Sequence, residues 1–117
     1  MENQTVLGSH KQKFVFSCRG IVPRDRLAQA AKTIIALIGM TAARPGRIDD
    51  YPYQNGGGAG CTGFFPLMES YLIIDSYSDL NETEILISTC VPERLKMDTV
   101  TAFLSKFIGP TVYRGSL

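Results

Sequence analysis

Apolar and polar residues alternate along Lys13-Phe-Val-Phe-Ser-Cys18, which sets Phe14, Phe16 and Cys18 on one side of an expected strand. The period then changes. Pro23, with Asp25 in the first turn, opens an expected helix. Leu27, Ala31, Ile34, Ile35 and Ile38 recur at three- and four-residue spacing, which predicts one buried helical face, and Gly39 ends it. Thr41–Ala43 reads as the start of a second strand, stopped by Arg44-Pro45-Gly46. Residues 45–60 follow no period and carry the run Gly56-Gly57-Gly58-Ala59-Gly60. They read either as a surface loop or as a loop that lets backbone approach a ligand while Tyr51 and Tyr53 offer flat apolar faces. A P-loop is a poor fit, because the run lacks the Lys-Ser/Thr ending and the strand–turn–helix setting. Residues 62–68, 70–77 and 83–90 predict three strands, the last two joined as an antiparallel hairpin through Ser78-Asp79-Leu80-Asn81. A second helix is expected from Pro92, with the stripe Met97, Val100, Phe103, Leu104, Phe107 and Ile108, and a short strand at Thr111–Arg114.

The expected order is therefore β-α-β-β-β-β-α-β. That is an α+β fold, a two-layer α/β sandwich with a mostly antiparallel sheet and two helices on one face. Residues 1–12 read as a flexible polar arm and 13–117 as one domain. The strands are apolar on both sides, so the uncovered face is expected to pack against a second copy in a homodimer.

Charge changes this picture more than composition does. The chain of 117 residues is 44% hydrophobic and 20% charged, with a net charge of +1. That balance argues against a nucleic-acid surface. The total hides a split: residues 1–47 hold eight Lys/Arg against Glu2 and Asp25, whereas 48–93 hold eight acids and no Lys, Arg or His. No apolar run is long enough for a membrane helix, and no secretory leader is evident. Cys18, Cys61 and Cys90 are widely spaced and His10 is the lone histidine, so no metal site is expected and reduced thiols in a cytoplasm are. With His10 in a polar arm, acid–base chemistry falls to Asp, Glu, Cys, Tyr or Lys, or to a group made after translation.

The stretch Gly63-Phe-Phe-Pro-Leu-Met-Glu69-Ser70-Tyr-Leu-Ile-Ile-Asp75-Ser-Tyr77-Ser-Asp79, continuing to Ser88-Thr89-Cys90, resembles the small prokaryotic S-adenosylmethionine decarboxylases. The Glu-Ser pair, the Thr-Cys pair at its spacing and the order of elements carry the likeness over roughly residues 13–115. It implies a self-processing enzyme. The Ser70 hydroxyl would attack the Glu69 carbonyl, and elimination would split the chain and leave a pyruvoyl group at Ser70. Such a ketone forms a Schiff base with a substrate amine and accepts the electron pair left by carbon dioxide. The likeness further implies Cys90 as proton donor to the product carbon and Thr62 as the hydroxyl that assists processing. It sets Tyr77 against the adenine ring, Asp79 near the ribose or sulfonium, and Tyr51 or Tyr53 on the other adenine face. Each also has an ordinary reading: Cys90 as a small hydrophobe, Tyr77 as cross-strand packing, Thr62 as a strand former, Asp79 as a turn residue.

Two positions depart from the family pattern. Tyr71 replaces the His of Glu-Ser-His, and Asp75 stands where the processing histidine is expected. An aspartate donates a proton only where burial or a neighbouring acid keeps it protonated. The expected function is pyruvoyl-dependent decarboxylation of S-adenosylmethionine for spermidine synthesis. The alternatives are an unprocessed homologue that binds S-adenosylmethionine or eliminates from it with Glu69 or Asp75 as base, and a sibling decarboxylase of ornithine or arginine. All three suit the acidic half, since each substrate is a cation.

Overall fold

The computed structural model describes residues 12–52, 59–68, 70–90 and 92–116. The elements are β1 (Gln12–Arg19), α1 (Arg24–Leu37), β2 (Arg47–Pro52), β3 (Ala59–Pro66), β4 (Tyr71–Tyr77), β5 (Glu82–Thr89), α2 (Met97–Phe107) and β6 (Thr111–Ser116). The expected order holds, as an α+β fold with six strands and two helices. The strands form one sheet in the order β2-β3-β4-β5-β1-β6, and every neighbouring pair is antiparallel. β2 to β5 are a simple meander. The β4–β5 turn is closed by Asn81, whose φ of 52° is a left-handed conformation that asparagine tolerates.

Several expected bounds are corrected; the strand read at 62–68, for one, runs Ala59–Pro66. Thr41–Ala43 is no strand: only Ala42 bridges, to Leu67. The second strand lies instead at Arg47–Pro52, inside the stretch read as irregular. It is an edge strand, and its charged side chains Arg47, Asp49 and Asp50 mask the apolar alternation while protecting the edge from pairing with another chain. Pro92 opens a 3-10 turn, Pro92–Arg94, and α2 begins only at Met97. Leu95, buried and bonded through its N–H to the Pro92 carbonyl, separates the two. Residues 1–11 of the expected arm lie outside the described residues, and Gln12 belongs to β1.

Strict alternation sorts the sheet into two faces. Phe14, Phe16 and Cys18 of β1, Cys61 and Phe65 of β3, Leu72 and Ile74 of β4, and Ile85 and Ile87 of β5 are buried in one cluster with the helices. From α1 that cluster takes Leu27, Ala30, Ala31 and Ile34, and from α2 Val100 and Leu104. Ile35, expected in the buried stripe, sits at its flank and is only partly covered. One ion pair, Arg24 Nε to Asp50 Oδ2 at 2.8 Å, ties the start of α1 to the edge strand.

The outer face is organised in rows that run across the strands. Arg47, Phe64, Ile73, Leu86 and Val15 are successive register partners and make a largely apolar row. The next row is Asp49, Thr62, Asp75, Glu84, Ser17 and Val112. A third holds Tyr77, Glu82 and Arg19.

Candidate functional site

The β3–β4 connection is a tight hairpin. The Leu67 N–H donates to the Ser70 carbonyl at 2.9 Å, and the Ser70 N–H donates back to Leu67 at 3.4 Å. Ser70 is 8% exposed, and its Oγ has no hydrogen-bond partner. A buried hydroxyl without a partner costs about 1–3 kcal/mol, so it calls for an explanation. The other such atom among the described residues is Ser88 Oγ. Both lie at one end of the sheet, because Ser88 is the register partner of Tyr71, the residue after Ser70.

The same register places Thr89 and Cys90 at this end. One step beyond Tyr71↔Ser88 sets Ser70 across from Thr89, so the Thr-Cys pair lies beside the Ser70 turn. Thr89 is buried and Cys90 half-buried. Phe64 and Tyr71 have ring centroids 5.8 Å apart, and Phe64 with Arg44, Pro45, Arg47 and Pro66 lines an open cleft of about 580 Å³ next to them.

Thr62 and Asp75 are directly paired across β3 and β4, and the Thr62 hydroxyl donates to Asp75 Oδ1. The structure brings these two together but not to Ser70 of the same chain. Five residue steps separate Ser70 from Asp75, about 17 Å at 3.3 Å per residue. Tyr77 lies two residues further and Asp79 in the exposed turn after it. The candidate residues thus form two groups. One is Ser70 and Cys90; the other is Thr62, Asp75, Tyr77 and Asp79. Tyr53 and Glu69 lie outside the described residues, and Tyr51 is placed only through its backbone, opposite Gly60.

Register reveals acids that spacing along the chain did not. Asp49 is the partner of Thr62, and Glu84 is the partner of Asp75. Asp49, Thr62, Asp75 and Glu84 therefore stand in succession along one row, at directly opposed positions about 5 Å apart. Like charges opposed in this way repel, and the Thr62 hydroxyl on Asp75 offsets part of that cost. The signal lay in Asp49-Asp50, but it could be used only once β2 was known to be a strand. Among the described residues no group of His, Cys, Asp and Glu is arranged to hold a metal. Nor among the described residues is any helix long and apolar enough to cross a membrane. Neither the family models nor the curated proteins contain a match to this chain.

Proposed function

We propose that this chain is a self-processing decarboxylase of S-adenosylmethionine, feeding spermidine synthesis, with its pyruvoyl group made from Ser70. The observation that carries the reading is the Ser70 hydroxyl, buried without a hydrogen-bond partner at the turn where Leu67 and Ser70 exchange backbone hydrogen bonds. A hydroxyl satisfied by a neighbour would have to break that bond before attacking; this one has nothing to break.

Processing requires the Ser70 oxygen to form an ester with the Glu69 carbonyl as the peptide C–N bond breaks. Loss of the Ser70 α-proton then expels Glu69 as a carboxylate, and water replaces the nitrogen as ammonia. Once present, the pyruvoyl group supplies the electron sink that decarboxylation needs. Around it the chain's own residues hold and protonate. Cys90, beside the turn, returns a proton to the product carbon. Tyr77 offers a face to adenine, while Asp79 and the acid row of Asp49, Asp75 and Glu84 attract the sulfonium.

The two groups of residues lie at opposite ends of β4, so the reading requires two copies. Packed outer face to outer face about a two-fold axis near the apolar row, each copy sets its Thr62–Asp75 pair over the other's Ser70 end. The homodimer expected from the apolar sheet face is then also what completes the site.

One observation favours a second reading. Asp75 is already engaged by Thr62 and lies far from Ser70 within the chain. A protein that stays whole and eliminates from bound S-adenosylmethionine, with Glu69 or Asp75 as base, needs no proton delivered to the turn.

Intact mass after incubation decides between them. Processing after Glu69 yields fragments of 69 and 48 residues from the chain of 117, with a hydroxylamine-reactive ketone on the second (117 − 69 = 48). Ser70→Ala should leave the chain whole. A parent that remains whole overturns the pyruvoyl reading. Release of methylthioadenosine by that whole chain would then establish the second.

A further inference from the structure

At the far edge of the outer face a separate cleft of about 220 Å³ lies between β1, β5 and β6, lined by Ser17, Arg19, Glu82, Pro110, Val112 and Arg114. Its charges are opposed but unmatched. Arg19 and Glu82 are direct register partners on adjacent antiparallel strands, the arrangement in which an Arg–Glu pair ordinarily closes. Yet among the described residues none of Arg19, Glu82 and Arg114 takes part in an ion pair, whereas Arg47–Asp49 on the opposite edge strand does, and so does Arg24–Asp50 between α1 and that strand. Two guanidiniums and one carboxylate thus face a shared space without satisfying one another.

The fold accounts for the position of Arg114. A register shift in the β1–β6 ladder falls between Val15 and Phe16, where Phe16 pairs with Tyr113 and Val15 with Gly115. Arg114 is therefore the extra residue of a bulge, which re-aims its side chain. At the other end of the cleft the Arg19 N–H is bonded to the Pro110 carbonyl at 2.9 Å, fixing β6 against β1. Val112, 60% exposed, supplies an apolar wall.

We infer that this cleft binds a free α-amino acid with an apolar side chain. The ligand's carboxylate matches the two guanidiniums, its ammonium matches Glu82, and its side chain lies along Val112 and Pro110. A zwitterion is the one small ligand class that neutralises both signs at once, and charge-assisted hydrogen bonds at both ends give it orientation as well as affinity. The cleft shares no residue with the chemistry proposed at Ser70.

The test is calorimetric titration of the full chain with L-methionine. Two one-ended analogues accompany it: methioninol, which lacks the carboxylate, and 4-(methylthio)butanoate, which lacks the ammonium. Saturable binding of L-methionine is expected, weakened at least about tenfold in either analogue, and likewise in Glu82→Gln and Arg114→Gln. Glu82→Gln keeps the side-chain length, Arg114→Gln shortens an exposed side chain, and unchanged circular dichroism shows that each variant is folded. Absence of saturable L-methionine binding overturns the inference. So does equal binding of 4-(methylthio)butanoate, which would reduce the cleft to an anion site. Parental affinity in both variants would place any binding elsewhere.

Discussion

Phe65 shows how closely single residues are fitted on the helix face. Its ring is buried, and a Cβ added at Gly63 would lie 2.5 Å from Phe65 Cε2, 2.8 Å from Cζ and 3.3 Å from Leu27 Cδ2. On its other side a Cβ at Gly46 would meet the same ring, so the ring cannot yield in either direction. Alanine in a strand ordinarily gains through the unfolded chain, and here the clash outweighs that gain. Gly63→Ala should cost about 1–3 kcal/mol, read as a lower urea midpoint at unchanged slope. The thiols give a second test at this scale. Burial pushes Cys18 up, with Glu82 adding to the shift and the Thr111 hydroxyl partly opposing it. Burial also pushes Cys61 up, aided by Asp50 and Asp75 and opposed by Arg24. A thiol raised on folding costs nothing while both states are protonated. As pH climbs past the ordinary thiol range the unfolded chain ionises first, so stability falls with pH there. Chemical denaturation across that alkaline range should show the fall, and Cys18→Ala with Cys61→Ala should flatten it. An equally steep fall in the double variant would assign the loss to other groups. The sequence could name Ser70, Thr62 and Asp75 as separate candidates. It could not show that Thr62 bonds Asp75 or that Ser88 joins Ser70 as a second unpartnered hydroxyl, because both depend on which strand residues stand opposite each other.

Elements with a clean period were legible, and those whose period serves two environments were not. In α1 the spacing of Leu27, Ala31 and Ile34 predicted the buried face, and Ala30 completes it. Ile34 is fully buried, while Ile35 only packs against the rim of the core. Ile34→Ala should therefore cost about 2–5 kcal/mol and Ile35→Ala clearly less, measured by urea unfolding of the two variants side by side. Equal losses would mean that the helix is rotated on the sheet relative to the structure described here. β4 and β5 were read within a residue at each end, because alternating apolar positions and the Ser78–Asn81 turn agree. β2 was missed because edge strands are built from residues that resist pairing, and Arg-Ile-Asp-Asp-Tyr-Pro follows that rule. The miss mattered for function, since Asp49 reaches the acid row only as part of a strand.

At the scale of the whole molecule the sheet is asymmetric in what covers it. The helices bury one face; the other presents Phe64, Ile73, Leu86 and Val15 in a continuous row, with the acid row on one side and Lys13 on the other. Phe64 is 42% exposed, and Ile73, Leu86 and Val15 are half-buried. A row of this kind in the middle of an antiparallel sheet fits a partner surface better than water. The charged margins favour a copy of the same chain in a two-fold arrangement. Turned about the apolar row, the Lys13 margin of one copy faces the acid row of the other, and the opposed carboxylates Asp75 and Glu84 gain a cation nearby. Light scattering on the eluting peak should therefore give the mass of two chains. Leu86→Lys, placed at the centre of the row, should yield a folded monomer, since the substitution puts two ammonium groups against each other across the axis while leaving the helix face untouched. Loss of the dimer should also stop or slow cleavage at Ser70 if the Thr62–Asp75 pair acts across it. A Leu86→Lys monomer that cleaves at the parental rate would confine processing to one chain, and a monomeric parent would leave the apolar row to another partner.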